Sequence, residues 1–149
     1  MNKIISWAAV IIWMVLIFNL SSQVAEQSNQ LSTGITEAIV KTIEKIAPNV
    51  EFDISGFNHI VRKNAHFFAY LVLGILVLNA FRRNEIYGYK NVILAIIVCI
   101  LYAASDETHQ LFVPGRGGQV RDVIIDSTGA GVGIVINLVF TRIVKRKIA

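Results

Sequence analysis

Seventeen residues in succession, Ile4 to Leu20, carry no charge, and the chain comes back to that pattern three more times. A chain of 149 residues has too small an interior to bury four such stretches in water, so the runs decide the class of fold. Ala65 to Phe81 is broken only by His66 near its start and Asn79 near its end. Val92 to Ala104 holds 13 apolar residues in a row. Val123 to Val144 is apolar apart from Asp126, a few small polar residues and Arg142. A membrane-spanning helix needs about 20 residues, roughly 17–25. The first, second and fourth runs meet that requirement as they stand.

The third does not. From Asn91 to Ala104 a helix covers about 21 Å of a hydrocarbon core about 30 Å thick. To cross, it must continue through Ser105-Asp106-Glu107-Thr108-His109-Gln110. That places a polar motif inside the outer zone of the bilayer, shielded by protein. The expectation is an all-α, polytopic membrane helical bundle in a single domain over 1–149. Its spans are expected near 4–20, 65–81, 91–110 and 123–142, with a long outer loop over 21–64.

Charge sets the orientation. One side of the membrane receives Lys3, Arg82, Arg83, Lys90, Arg142, Lys145, Arg146 and Lys147, eight basic residues against Glu85 alone. The other receives Lys41, Lys45, Arg62, Lys63, Arg116 and Arg121 together with nine acids. Lysine and arginine favour the cytoplasmic side, so both termini are expected there. The same sorting accounts for the net charge of +4 and removes the motive for a nucleic-acid partner. Only 16% of residues are charged and 54% are hydrophobic, which excludes disorder. The single Cys99 excludes a disulfide scaffold. A signal peptide is the competing reading of the first run. Its length exceeds the usual 7–15-residue core, and no clean small-x-small site follows, so it is taken as an anchor.

In the outer loop Leu31, Ile35, Ala38, Ile39, Thr42, Ile43 and Ile46 recur at helical spacing before Pro48, with Glu37, Lys41, Glu44 and Lys45 off that stripe. An amphipathic helix is expected there, lying on the outer membrane surface or packed against the bundle.

The ionisable residues gather at one end of three spans. His59, Lys63, His66 and Tyr70 are spaced 4, 3 and 4, one stripe of a helix, with Arg62 at its border. Tyr102, Asp106 and His109 share a face of the third span, beside Glu107 and Gln110. Asp122, Asp126, Gly129 and Gly133 share one side of the fourth. A carboxylate at that depth costs about 2.5–3.5 kcal/mol even on the mild insertion scale, so it should face inward and find a partner. The two glycines form a small-x-x-x-small groove that lets a neighbouring backbone approach. The turn Pro114-Gly115-Arg116-Gly117-Gly118 can offer Arg116 and backbone N–H groups to an anion.

Several chemistries remain open at this point. Arg62, Lys63, Arg116 and Arg121 balance Asp106, Glu107, Asp122 and Asp126, so the cluster can be a self-neutralising structural network. His66 and His109 with two or three of Asp106, Asp122 and Asp126 would suit zinc or manganese, although no HExxH spacing occurs. A histidine paired with a carboxylate can act as an acid or base. Ser105 is a weak candidate nucleophile, Tyr70 and Tyr102 read as packing residues with a wet hydroxyl rather than acids, and Cys99 reads as a small apolar residue. An ion pathway is disfavoured, because the polar residues stop in the outer half.

The string Ser105-Asp106-Glu107-x-His109-Gln110-x-Phe112-x-Pro114-Gly115-Arg116 resembles the signature of the VanZ family. So do Asp122-x-x-x-Asp126-x-x-Gly129-x-x-x-Gly133, Lys63-x-x-His66-Phe67-x-x-Tyr70-x-x-x-Gly74, and Ser21-Ser22-Gln23 after the first span. Ala69 stands where some members carry a glutamate, so no role for that acid transfers. The family consists of small bacterial membrane proteins. Its namesake gives low-level resistance to teicoplanin, a glycopeptide with a fatty acyl chain, without an altered precursor. The resemblance implies an envelope protein of the cytoplasmic membrane that acts on or binds a lipidated or lipid-linked amphiphile and lowers glycopeptide sensitivity.

Joined to the stripes, this makes His66, Asp106, His109 and Asp126 the candidate catalytic residues. Lys63, Tyr70, Glu107, Gln110, Arg116, Arg121 and Asp122 are the candidate ligand-binding residues, with a divalent metal as the one cofactor to consider. The alternative is a non-catalytic interaction protein whose charged cluster is structural glue.

Overall fold

The computed structural model describes residues 2–23, 30, 33–34, 36, 38–42 and 54–148, the side chains of 54–59, 62 and 145–148 excepted. Four long helices carry the fold: α1 (Lys3–Ser21), α2 (Ile54–Arg83), α3 (Gly88–Gln110) and α4 (Val120–Ile148). Each contains a stretch long and apolar enough to cross a membrane: Lys3–Ser21, Lys63–Arg83, Gly88–Gln110 and Val120–Val144. The protein is an all-α bundle, and α3 does extend through the polar motif to Gln110, as the thickness of the hydrocarbon requires. The helix around the second run begins at Ile54, about three turns before the apolar residues do.

The helices run alternately up and down. At one end Lys3 pairs with Glu85 at 3.0 Å, and the Trp7 and Phe81 rings meet edge to face at 5.2 Å. Arg82 there donates to Asn137 Oδ1 at 2.8 Å and to Thr141 Oγ1 at 3.0 Å. The turn between α2 and α3 is closed by Ile86 N–H donating to Phe81 O (3.1 Å), with Glu85 in the left-handed region at φ 66°. The described basic residues Lys3, Arg82, Arg83, Lys90 and Arg142 all belong to this end. The opposite end collects the end of α1, the Lys63 end of the α2 span, the end of α3 and the start of α4.

Helix α2 is the hub, packing on each of the others. Against α4 it comes close enough that side chains are excluded. A Cβ on Gly129 would collide with the Phe67 carbonyl, one on Gly133 with the Leu71 carbonyl, and one on Gly74 with the Ala130 carbonyl. The small-residue groove foreseen on α4 is therefore the seat of α2. Val10, Ile17, Tyr70, Leu73, Val77, Ala95, Cys99, Ala103, Ala130 and Ile134 fill the core. Ile4, Ile12, Phe18, Ile97, Leu101, Val135, Phe140 and Ile143 point outward, as a lipid-facing surface requires. Two hydrogen bonds to main-chain carbonyls tie α1 in: Trp13 Nε1 to Ala69 O at 2.8 Å, and Tyr102 Oη to Met14 O at 2.6 Å.

The described residues between 30 and 42 are helical. Their inward pair is Thr36 and Val40, whereas Ala38, Ile39 and Thr42 of the apolar stripe are exposed on the protein. Leu31, Ile35, Glu37, Ile43, Glu44, Lys45, Ile46 and Pro48 lie outside the described residues, as do the side chains of His59 and Arg62.

Candidate functional site

At the end opposite Lys3 lies a partly open cavity of about 210 Å³. Helix α2 contributes Lys63 and His66, and α3 contributes Glu107 and Gln110. The connecting loop adds Gly115, Arg116, Gly117 and Gln119, and α4 adds Asp122, Ile125 and Asp126. Each contribution has a local cause. Lys63 and His66 are three residues apart and share a face of α2, while Asp122 and Asp126 are one turn apart on α4. Helix α3 ends in a tight turn, with Phe112 N–H donating to His109 O (3.0 Å) and Val113 N–H to Gln110 O (3.1 Å). Pro114 follows, and Gly115 takes φ 76°, a conformation that suits glycine. The chain thus folds back over the cavity before α4 begins.

Two polar groupings share this end. In the outer one every charged side chain has at least one polar partner. Lys63 Nζ lies 2.7 Å from Asp122 Oδ1, and both side chains are about a quarter exposed, at 22% and 26%. Glu107 accepts from the Gln119 backbone N–H at 2.8 Å and from Gln110 Nε2 at 3.2 Å. Arg116 reaches across to the end of α1 and donates to Ser21 O (3.1 Å) and Leu20 O (3.4 Å), and to Gln110 Oε1 at 3.5 Å. A guanidinium at a helix C-terminus meets carbonyls that lack a partner within the helix.

The inner grouping is not satisfied. Asp106 and Asp126 are 2% and 1% exposed. Asp106 Oδ2 accepts from Ser21 Oγ at 2.8 Å, but its Oδ1 is buried without a hydrogen-bond partner. Asp126 Oδ2 is also buried and unbonded, 3.7 Å from His66 Nδ1, which is an ion-pair distance rather than a hydrogen bond. One donor atom from each of His66, Asp106 and Asp126 falls within 4.8 Å of the other two. Tyr70, one turn further along α2, is fully buried against Tyr102 at a ring distance of 5.9 Å, and its hydroxyl has no partner either.

The remaining candidates sit elsewhere. His109 turns to α1: its Nε2 is 3.2 Å from Ser22 Oγ and its ring lies 4.4 Å from that of Phe18. It neither lines the cavity nor joins the three clustered donors. Arg121 is exposed and outside the lining, and Ser105 is exposed and donates back to Tyr102 O at 2.9 Å. Cys99 is core, as its type suggests.

Three contributors had no assigned part in the spacing argument: Ser21, which holds Asp106, Ser22, which meets His109, and Gln119, whose N–H holds Glu107. The two serines did carry a signal, since paired hydroxyls directly follow an otherwise apolar span. Gln119 acts through its backbone and carries none.

A family model described as VanZ/LLP1 matches residues 6–141. No curated protein and no solved structure matches the chain.

Proposed function

The chain belongs to the VanZ/LLP1 family, and from that premise we propose that it is a bacterial cell-envelope protein whose cavity takes up the polar head of a lipidated or lipid-linked amphiphile. The orientation proposed has the Lys3 end in the cytoplasm and the cavity at the outer leaflet of the cytoplasmic membrane, by the lysine and arginine distribution. The observation that carries the reading is the cavity itself, lined by Lys63, His66 and Arg116 among carboxylates and set at the end of three spans. Intramembrane ionisable groups are functional candidates by default. At about 210 Å³ the space is smaller than the roughly 300–1,000 Å³ of drug-sized ligand sites. It suits a head group and leaves the acyl chains, or the bulk of a glycopeptide, outside among lipid and water.

In this reading Lys63 and Arg116 attract an anionic head, with Glu107, Gln110 and Asp122 shaping the entrance. His66 and Asp126 line the cavity, Asp106 is buried within 4.8 Å of both, and these three are the residues for any proton transfer. His109 acts through α1, by holding Ser22.

The test is growth under teicoplanin, set against a glycopeptide without an acyl chain, in cells making the native protein or Lys63→Ala or His66→Gln at equal abundance. Protection by the native protein alone, and only against the acylated drug, is expected. Lipid mass spectrometry of the same membranes reads a housekeeping substrate directly. Full protection and an unchanged lipid profile with both variants overturn the proposal. The Lys63–Asp122 pair and the bonded Glu107 favour a second reading, in which the outer charges are glue. Recovery of function in Lys63→Gln with Asp122→Asn would select it.

A further inference from the structure

His66 and Asp126 of the inner grouping line the cavity, and Asp106 joins them from α3. We infer that His66, Asp106 and Asp126 bind one divalent transition-metal ion, zinc or manganese, between α2, α3 and α4.

Three observations carry this. The donor atoms come from three different helices, yet lie within 4.8 Å of one another. Ligands held at about 2.0–2.2 Å around a tetrahedral ion stand about 3.4 Å apart. The 3.7 Å between His66 Nδ1 and Asp126 Oδ2 is close to that spacing and too long for a direct hydrogen bond. Both carboxylates are more than nine-tenths buried, and each keeps one oxygen with no hydrogen-bond partner. An oxygen left in that condition is costly at membrane depth, and a cation ligand removes the cost.

Charge also agrees. Two carboxylates and a neutral imidazole neutralise a divalent ion, whereas a protonated His66 would leave the trio one negative charge in excess. One nitrogen and two oxygen donors suit zinc or manganese. Ser21, bonded to Asp106 Oδ2, would orient that carboxylate as outer-shell partners do.

Metal uptake needs no lipid head, so its failure leaves the amphiphile reading standing, and failure of that reading leaves the ion in place. The experiment uses the full chain in detergent, stripped with a chelator and dialysed against zinc or manganese. Metal per chain is measured by mass spectrometry, and bound manganese by its electron paramagnetic resonance. About one ion per chain is expected, with at least about tenfold weaker binding in Asp126→Asn and in His66→Gln. His109→Gln should keep the full stoichiometry. Substoichiometric uptake of both metals by the native chain overturns the inference, and so does full uptake by the folded Asp126→Asn and His66→Gln variants. If circular dichroism shows Asp126→Asn to be unfolded, Asp126→Glu takes its place, keeping the charge while moving the donor by one methylene. Weakened binding then supports the site, and unchanged binding overturns it.

Discussion

Replacing Gly133 by alanine isolates the contact on which the α2–α4 pairing rests. A Cβ at this position would stand 2.8 Å from Leu71 C and 3.1 Å from Leu71 Cα, with the carbonyl oxygen nearer still. Carbon atoms in contact prefer about 3.5–4.0 Å, and with the Leu71 carbonyl oxygen the nearest obstacle the helices must part by about 1 Å. All three obstacles are backbone atoms, and no rotamer change relieves them. A gap of that size forfeits about a quarter to a half of the dispersion energy across the seam, and overpacking of this kind costs about 1–3 kcal/mol. Against it stands the gain of about 0.8–1.0 kcal/mol for alanine over glycine within a helix. The net expectation is a loss of up to about 2 kcal/mol, or a fall in melting temperature of up to about 4–8 °C for a chain of this size.

Gly131, two residues earlier on the same helix, provides the internal control, because nothing lies within 4 Å of its Cβ position. There the propensity term acts alone, and Gly131→Ala should raise the melting temperature by about 2–4 °C. The assay is thermal unfolding in detergent, followed by far-ultraviolet circular dichroism on the purified chain. Opposite signs for the two substitutions are the expected result. A Gly133→Ala protein that melts with or above Gly131→Ala would refute the close-packed seam.

Reporter fusions after Arg83 and at the C-terminus should report the cytoplasm, and a fusion after Gly117 the exterior; an external C-terminus contradicts the proposed orientation. Ser21→Ala removes the hydrogen bond from Ser21 Oγ to Asp106 Oδ2 and should destabilise by about 1.5–3 kcal/mol if the carboxylate is charged, measured as a melting shift that shrinks in the Ser21→Ala, Asp106→Asn double variant. Trp13→Phe keeps most of the ring but loses the bond to Ala69 O, for a cost of about 1 kcal/mol in the same assay, and a loss under about 0.3 kcal/mol would mean that the contact contributes nothing to holding α1.

How far the chain could be read beforehand varied with the kind of physics involved. Hydrocarbon thickness is a fixed length, so a run of 13 apolar residues from Val92 to Ala104 already required α3 to continue to Gln110. The spacing of Gly129 and Gly133 likewise announced the groove that α2 occupies. Spacing is weaker at assigning a helix face to a particular neighbour. Asp106 and His109 are three residues apart, which leaves them about 60° apart around the axis. In a bundle that angle is enough for Asp106 to face the centre while His109 meets Phe18 and Ser22 on α1. In the outer loop the spacing left two placements of the stripe open, and the described residues turn Thr36 and Val40 inward and leave Ala38, Ile39 and Thr42 exposed on the protein. The bond from Ser21 to Asp106 spans 85 residues of chain, and no local pattern encodes a pairing at that distance.

The links between the end of α1 and the rest of the chain also impose a timetable on synthesis. Ser21 waits for Asp106, Ser22 for His109, and the last carbonyls of α1 for Arg116, 95 residues after Ser21. Asp126 meets its neighbours later still, when α4 enters. A nascent chain emerges N-terminus first. Through most of translation the end of α1 therefore stands without the partners that Asp106, His109 and Arg116 later bring to it.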